Sequence, residues 1–117
     1  MNNEHTTETL NLETLMEKCF AVQMPQKKIE IPEIGVFEVR ALDGEEALEV
    51  AGAANLKSKT ALILRKGVVA PALDEKNAAI LYRKMPGVAE RLISEINTLT
   101  GEAAKIGEAS EAFTEKK

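Results

Sequence analysis

The chain contains the stretch LILRKGVVAP at residues 62–71, which ends one amphipathic segment and joins it to the next. Gly67 is expected at a left-handed position just past a helix, where the absence of a Cβ avoids a steric cost. Arg65 and Lys66 place positive charge at the helix end, where it complements the helix dipole. Pro71 prevents the helix from simply continuing. The stretch therefore predicts a helix end and a structural joint.

Upstream of this joint, the sequence predicts two helices. Asp43 and Glu46 have the spacing of a capping box, in which each residue satisfies a backbone N–H of the other. The helix that they begin carries mostly small side chains, and Asn55 is expected to close it. Ser58 is expected to cap the next helix, which ends at the joint.

Downstream of the joint, two more helices are predicted. Asp74 is the expected N-cap of the first, and Pro86 suits the first position of the second, with Gly101 as its stop. This last helix has a continuous apolar stripe, formed by Val88, Leu92, Ile93, Ile96 and Leu99.

The N-terminal part of the chain predicts a short helix and a β-hairpin. After Asn11, a candidate N-cap, apolar residues recur at i, i+3, i+4 and i+7, the spacing of one helix face. These residues are Leu12, Leu15, Met16 and Cys19. Residues 28–40 then alternate and are rich in β-branched side chains, which predicts a two-stranded hairpin.

Together these segments predict a mainly α member of the α+β class. A short N-terminal helix and a hairpin at about 28–40 precede a bundle of about four helices. The length of 117 residues suits one domain, which we place at residues 11–101. Residues 1–10 are expected to form a flexible leader and residues 102–117 a weakly ordered C-terminal tail.

Composition limits the classes of function. The chain has a formal net charge of -4 and 3% aromatic residues, which argues against a nucleic-acid surface. One cysteine excludes an intramolecular disulfide and fits a reducing cytoplasm. The sequence shows neither a signal peptide nor an apolar run long enough for a membrane helix. We therefore expect a cytoplasmic protein with protein partners.

Groups suited to catalysis are few. His5 lies in the polar leader and is expected to be solvated, and Cys19 is expected to be a small core side chain instead of a nucleophile. Arg65 and Lys66 precede Gly67, whereas a phosphate-binding P-loop has its lysine after the glycines. We therefore expect no enzyme activity, no cofactor and no metal site.

Apolar side chains exceed what so small a domain readily buries, which indicates self-association or a partner groove. An ordinary core with a few exposed aliphatic side chains is the alternative. The candidates are Val68, Val69, Val88, Leu92, Ile96 and Leu99. For the stripe Val88, Leu92, Ile96 and Leu99 two interpretations stand. It contacts a partner or a second subunit, or, as the pattern favours, it is a core face within one chain.

Three segments resemble the tail assembly chaperones of long-tailed phages and prophages. They are FEVRALDGEEA at residues 37–47, the joint at 62–71 with its GVVAPAL, and PGVAERLISEINTLTG at residues 86–101. The resemblance spans about residues 27–101 and lies in architecture, with the joint as its most specific part.

The resemblance implies a chaperone in the cytoplasm of a bacterial host that is absent from the mature virion. Such a protein binds the tape measure protein, keeps it soluble and helps recruit tail tube protein around it, and it forms homo-oligomers. A structural tail or head-tail connector subunit is the alternative, indicated by the hairpin. A small enzyme or regulator is a third hypothesis, supported only by His5, Cys19 and scattered acidic residues.

Overall fold

The computed structural model describes residues 9–105, and in that range the chain forms five helices and a three-stranded antiparallel sheet. The predicted mainly α member of the α+β class is confirmed. In chain order the elements are α1 (Leu12–Ala21), β1 (Gln26–Ile31), β2 (Gly35–Arg40), α2 (Gly44–Ala51), α3 (Leu56–Gly67), β3 (Val68–Ala70), α4 (Glu75–Lys84) and α5 (Pro86–Ala103).

The predicted hairpin is present and begins two residues before its predicted start. Its strands pair from Gln26 opposite Arg40 to Ile31 opposite Gly35. Pro32 and Glu33 form the centre of the turn, which the N–H of Ile34 closes by donating to the carbonyl of Ile31 at 3.0 Å. Pro32 suits the second position of a type II turn, and Glu33 occupies the third at φ 71°.

The joint contains a third strand that the sequence pattern does not predict. Residues Val68–Ala70 form β3, which pairs antiparallel with β2 through Glu38 opposite Ala70 and Val39 opposite Val68. Three residues are too short for a period-two pattern to stand out. Because β3 follows α3 directly, the joint ties the end of a helix to the edge of the sheet.

The conformation predicted for Gly67 is wrong, and its role is different. Gly67 is the last residue of α3 and is buried, and among the described residues the glycine at positive φ is Gly35. A Cβ added to Gly67 would lie 2.5 Å from Cδ1 of Ile96 and 2.8 Å from its Cγ1. The glycine therefore permits the close approach of α3 to α5.

Helix α5 lies at the centre of the core. It contacts α3, α4, β1 and β2, and its Leu92 and Ile96 are fully buried. The Thr100 hydroxyl donates to the carbonyl of Ile96 at 2.8 Å and accepts from the N–H of Leu42 at 3.0 Å. The buried apolar side chains are Ile29, Ile31, Phe37, Val39, Ala41, Leu42, Ile63, Leu64, Val68, Ala78, Ala89, Leu92, Ile93, Ile96 and Leu99.

The helix ends confirm some predicted caps and correct others. The capping box of Asp43 and Glu46 is present, with the Glu46 N–H donating to Asp43 Oδ1 at 2.8 Å. Asn55 caps the start of α3 by accepting from the N–H of Ser58 at 2.8 Å, so both predicted roles are wrong. Asn55 and Ser58 are both of the residue types that favour the N-cap position, and they lie three positions apart. The sequence alone therefore does not show which of the two is the cap. Gly101 lies inside α5, which continues to Ala103.

Helix α1 begins at its predicted N-cap, Asn11, whose side chain accepts from the N–H of Thr14 at 2.8 Å. None of its residues is buried. The prediction of Cys19 as a core side chain is therefore wrong, because the helix that carries it projects from the domain with Cys19 exposed. Of the predicted leader and tail, residues 1–8 and 106–117 lie outside the described residues. The prediction that His5 is solvated therefore also lies outside them.

Candidate protein-interaction surfaces

Most of the side chains predicted to meet a partner lie in the core. Leu92 and Ile96 are fully buried, Leu99 is 6% exposed and Val68 is 3% exposed. Of the two interpretations of the α5 stripe, the burial of Leu92, Ile96 and Leu99 agrees with the one that the pattern favours, a core face within one chain, because the sheet, α3 and α4 cover it. Val68 is also buried, on β3, so it does not present a contact surface. Val88 is partly buried against the core, and Val69 is 40% exposed.

Helix α1 presents an apolar face that no core residue covers. Leu12 is 71% exposed and Phe20 is 83% exposed, while Leu15 and Met16 are each about 40% exposed. With Cys19 these side chains follow the i, i+3, i+4, i+7, i+8 spacing and share one side of the helix. The spacing is visible in the sequence. Its exposure among residues 9–105 is known only from the structure.

An open groove runs between the first half of α3 and α4. Small side chains, Ala61, Ala78 and Ala79, line it together with Leu56 and Tyr82; we call the three alanines its floor and the two larger side chains its walls. Its volume is about 710 Å³, and its lining is mainly apolar. The remaining lining residues are polar or charged: Asn55, Lys57, Ser58, Thr60, Glu75 and Arg83.

The wall of this groove is fixed to α5. The Tyr82 hydroxyl donates to Glu90 Oε2 at 2.6 Å, which ties α4 to the start of α5. This hydrogen bond to a carboxylate raises the pKa of Tyr82, because loss of the proton would place two negative charges side by side. Tyr82 therefore remains a hydroxyl donor at neutral pH and holds its ring at the groove wall.

The groove and α1 carry unlike charges. Lys57 and Arg83 outweigh Glu75 among the groove-lining residues, which leaves one net positive charge. On α1, Glu13 and Glu17 outweigh Lys18, which leaves one net negative charge. In a helical projection the two glutamates lie along one side of the apolar face of α1, and the lysine lies toward the other.

The acidic run after β2 serves the fold. Arg40 donates to both carboxylate oxygens of Glu46, at 2.8 and 2.7 Å, and Glu46 also accepts from the N–H of Asp43 at 3.0 Å. The hydrogen bond from Arg40 lowers the pKa of Glu46, and the same contact raises the pKa of Arg40. The predicted capping box of Asp43 and Glu46 agrees with these contacts.

Among residues 9–105, no group of three or more histidine, cysteine, aspartate or glutamate side chains is placed to hold a metal ion. Cys19 is exposed on α1, and its described surroundings supply no histidine. In the same part of the chain, no helix combines the length and apolar character that a bilayer crossing requires.

Comparison of the chain with protein-family models, with curated proteins and with solved structures finds no match.

Proposed function

We propose that this protein is a phage tail assembly chaperone that binds the tape measure protein and keeps it soluble during tail morphogenesis. The supporting observation is the open apolar groove between α3 and α4, floored by Ala61, Ala78 and Ala79. Small side chains on two neighbouring helices admit a third helix at close range, and its own apolar residues then fill the furrow. The groove supports helix binding in general, and the resemblance in three sequence segments is the reason for proposing tail assembly as the process.

The groove suits a client that must be released. A tape measure protein is a long helix with apolar faces, which aggregate unless they are covered. A groove lined by one turn or two of each helix covers only a short length of such a client, so several copies act along it. Each contact is weak by itself, because the area buried is small. Incoming tail tube protein can then displace the chaperone copy by copy.

Under this proposal the protein works in the cytoplasm of the bacterial host. It recruits tail tube protein around the covered client and is absent from the finished virion. The charges at the groove rim, Lys57, Arg83 and Glu75, set the orientation of the client helix more than its affinity.

Co-expression with a tape measure protein from the same phage or prophage tests the proposal. The soluble fraction of the tape measure protein should rise several-fold with the wild-type chaperone. Ala79→Arg places a long charged side chain in the groove and should abolish the gain. Ala51→Arg, an equally exposed alanine at the end of α2, is the matched control and should retain it. No gain with the wild type, or an equal gain with Ala79→Arg, contradicts the proposal.

A structural tail or head-tail connector subunit is the second candidate. The observation that favours it is the edge position of β1, whose outer backbone groups have no strand beside them among the described residues. An edge strand can extend a sheet into a neighbouring subunit, although Lys27 and Lys28 oppose such pairing. Stoichiometric recovery of this chain from purified virions would support the connector and contradict the chaperone.

A further inference from the structure

Helix α1 has the features of an amphipathic helix that binds in an apolar groove. Its apolar face holds Leu12, Leu15, Met16 and Phe20, and the described residues bury none of them. A ten-residue helix with no buried residue among residues 9–105 is marginal in water, because it lacks the tertiary packing that stabilises most helices in proteins. Contact with another surface would both cover this face and stabilise the helix.

A surface of matching length exists on the same chain. Helix α1 has ten residues and extends about 15 Å at 1.5 Å per residue, as does α4, which forms one side of the groove. The groove offers a small-residue floor, while α1 offers large flexible side chains and one aromatic ring. This is the usual division between a receiving groove and an amphipathic helix.

Charge favours the same pairing. The groove lining carries Lys57, Arg83 and Glu75, and α1 carries Glu13 and Glu17 on one side of its apolar face. A helix lying in the groove places one of its sides against each wall. The glutamates can therefore face a basic residue of the rim, and Lys18, on the other side of α1, can face Glu75.

We propose that α1 of one copy binds in the α3–α4 groove of a second copy of this chain. Each copy then has one α1 that binds a neighbouring copy and one groove that receives α1 from a neighbouring copy. The contact is therefore heterologous and head to tail. Such contacts close into rings where the rotation permits and otherwise extend into chains. The proposal does not depend on the identity of the client, because it involves this chain alone.

The strength of the contact follows from its size. A stable protein interface buries about 1,200–2,000 Å² in total, which exceeds what a ten-residue helix can cover. We therefore expect dissociation constants between about 1 μM and 1 mM for one helix in one groove. Self-association at these affinities depends on concentration and yields to a competing client helix.

Sedimentation velocity with two surface variants tests the pairing. Phe20→Ser removes the aromatic side chain of α1, which is 83% exposed, and Ala79→Arg obstructs the groove. Both positions are exposed, so circular dichroism and thermal unfolding should show the wild-type fold. Glu102→Ser, an exposed position near the end of α5, is the control for a surface substitution away from both elements.

The wild type and Glu102→Ser should associate as concentration rises, and each of the two test variants should associate at least about tenfold more weakly. Mixed in equal amounts, the two variants should form a one-to-one dimer, since the mixture still supplies one intact α1 and one intact groove.

Three results would overturn the proposal. A wild type that remains monomeric up to about 1 mM has no such contact. Undiminished association of Ala79→Arg means that α1 binds elsewhere, as in pairing with another α1. Failure of the two folded variants to combine rules out the helix-in-groove arrangement.

Discussion

Helices α5 and α1 carry the same kind of apolar stripe and have opposite surroundings. In α5 the stripe is buried against the sheet, α3 and α4, and Leu92 and Ile96 have no exposed area. In α1 the corresponding spacing leaves Leu12 71% exposed and Phe20 83% exposed. A periodic pattern identifies which face of a helix is apolar. It does not identify what covers that face, or whether the cover belongs to the same chain.

The difference arises from the segments that the rest of the chain brings to each helix. The stripe of α5 meets a surface that three separate segments build together: the hairpin, α3 and α4. Helix α1 leads through residues 22–25 into β1, whose inner side chains Ile29 and Ile31 already face α5. The core of the described residues forms without α1, and these residues leave the apolar face of α1 exposed.

Truncation of one leucine in each stripe should show the largest contrast. Leu92→Ala removes a fully buried side chain and should lower the free energy of unfolding by about 2–5 kcal/mol. Leu15→Ala on α1 should change it by less than about 0.5 kcal/mol. Urea unfolding followed by circular dichroism measures both at low protein concentration. A loss above about 1 kcal/mol for Leu15→Ala would mean that α1 packs on its own domain.

Close packing of α5 on α3 provides the second test. Gly67→Ala brings a Cβ within 2.5 Å of the buried Ile96 side chain and should destabilise the fold by about 1–3 kcal/mol. Gly101 also lies near the end of a helix, α5, but there is open space around an added methyl group. Gly101→Ala should therefore be neutral or stabilise the fold by about 0.5 kcal/mol. Thermal unfolding of both variants measures the contrast. Equal effects would show that backbone freedom, not contact with Ile96, accounts for Gly67.

Two matched N-caps extend the comparison. Asp74 at the start of α4 and Asn11 at the start of α1 accept N–H hydrogen bonds of 2.7 and 2.8 Å. Asp74→Ala should lower the free energy of unfolding by about 1 kcal/mol, because α4 is part of the core. Asn11→Ala should reduce the helix content of α1 in NMR chemical shifts and leave the urea midpoint unchanged. A shifted midpoint for Asn11→Ala would contradict the independence of α1.

The smallest effect concerns an ion pair that fastens α5 to the sheet. Lys27 donates to Glu95 at 3.0 Å, and this hydrogen bond lowers the pKa of Glu95. A carboxylate with a lower pKa in the folded state adds stability above its unfolded pKa, and this stability is lost as pH falls through the folded pKa. Because water screens the pair, Glu95→Gln should cost only a few tenths of a kcal/mol at pH 7.

That cost should shrink to zero as pH falls through the pKa of Glu95, which urea unfolding at a series of pH values measures. Glu17→Gln on α1, an exposed position, is the matched control and should leave the free energy of unfolding at pH 7 unchanged. A constant difference between the wild type and Glu95→Gln across this range would contradict an electrostatic origin.

Local sequence signals are sufficient for most of the fold. Apolar periodicity locates α1 and α5, and the β-branched alternation locates the hairpin. The side-chain caps Asn11, Asp43 and Asp74 have strong residue preferences, and all three predictions are confirmed. Features that depend on distant residues are not predicted. The strand β3 exists because Val39 is there to pair with it, and Gly67 faces a side chain on another helix.

The candidate surfaces also separate into features that local sequence reveals and features that depend on distant residues. The strongest apolar stripe, Val88 to Leu99, allows two interpretations in the sequence, a core face or a partner surface, and most of it is buried in the core. The groove could not be predicted, because its floor combines alanines of α3 and α4 that are ordinary helix formers in the sequence. The face of α1 is visible as a pattern, yet only the tertiary structure shows that it is uncovered.

Gly67 and Ile96 are a pair of positions whose sizes are set against each other. An added methyl group at position 67 would collide with the side chain at position 96 unless that side chain were smaller. In a lineage of related chains these two positions should therefore change together, with alanine at 67 accompanied by valine or alanine at 96. Such paired substitution would let relatives of this protein be recognised by one small residue in the joint and its counterpart in the last helix, even where the rest of the sequence has diverged.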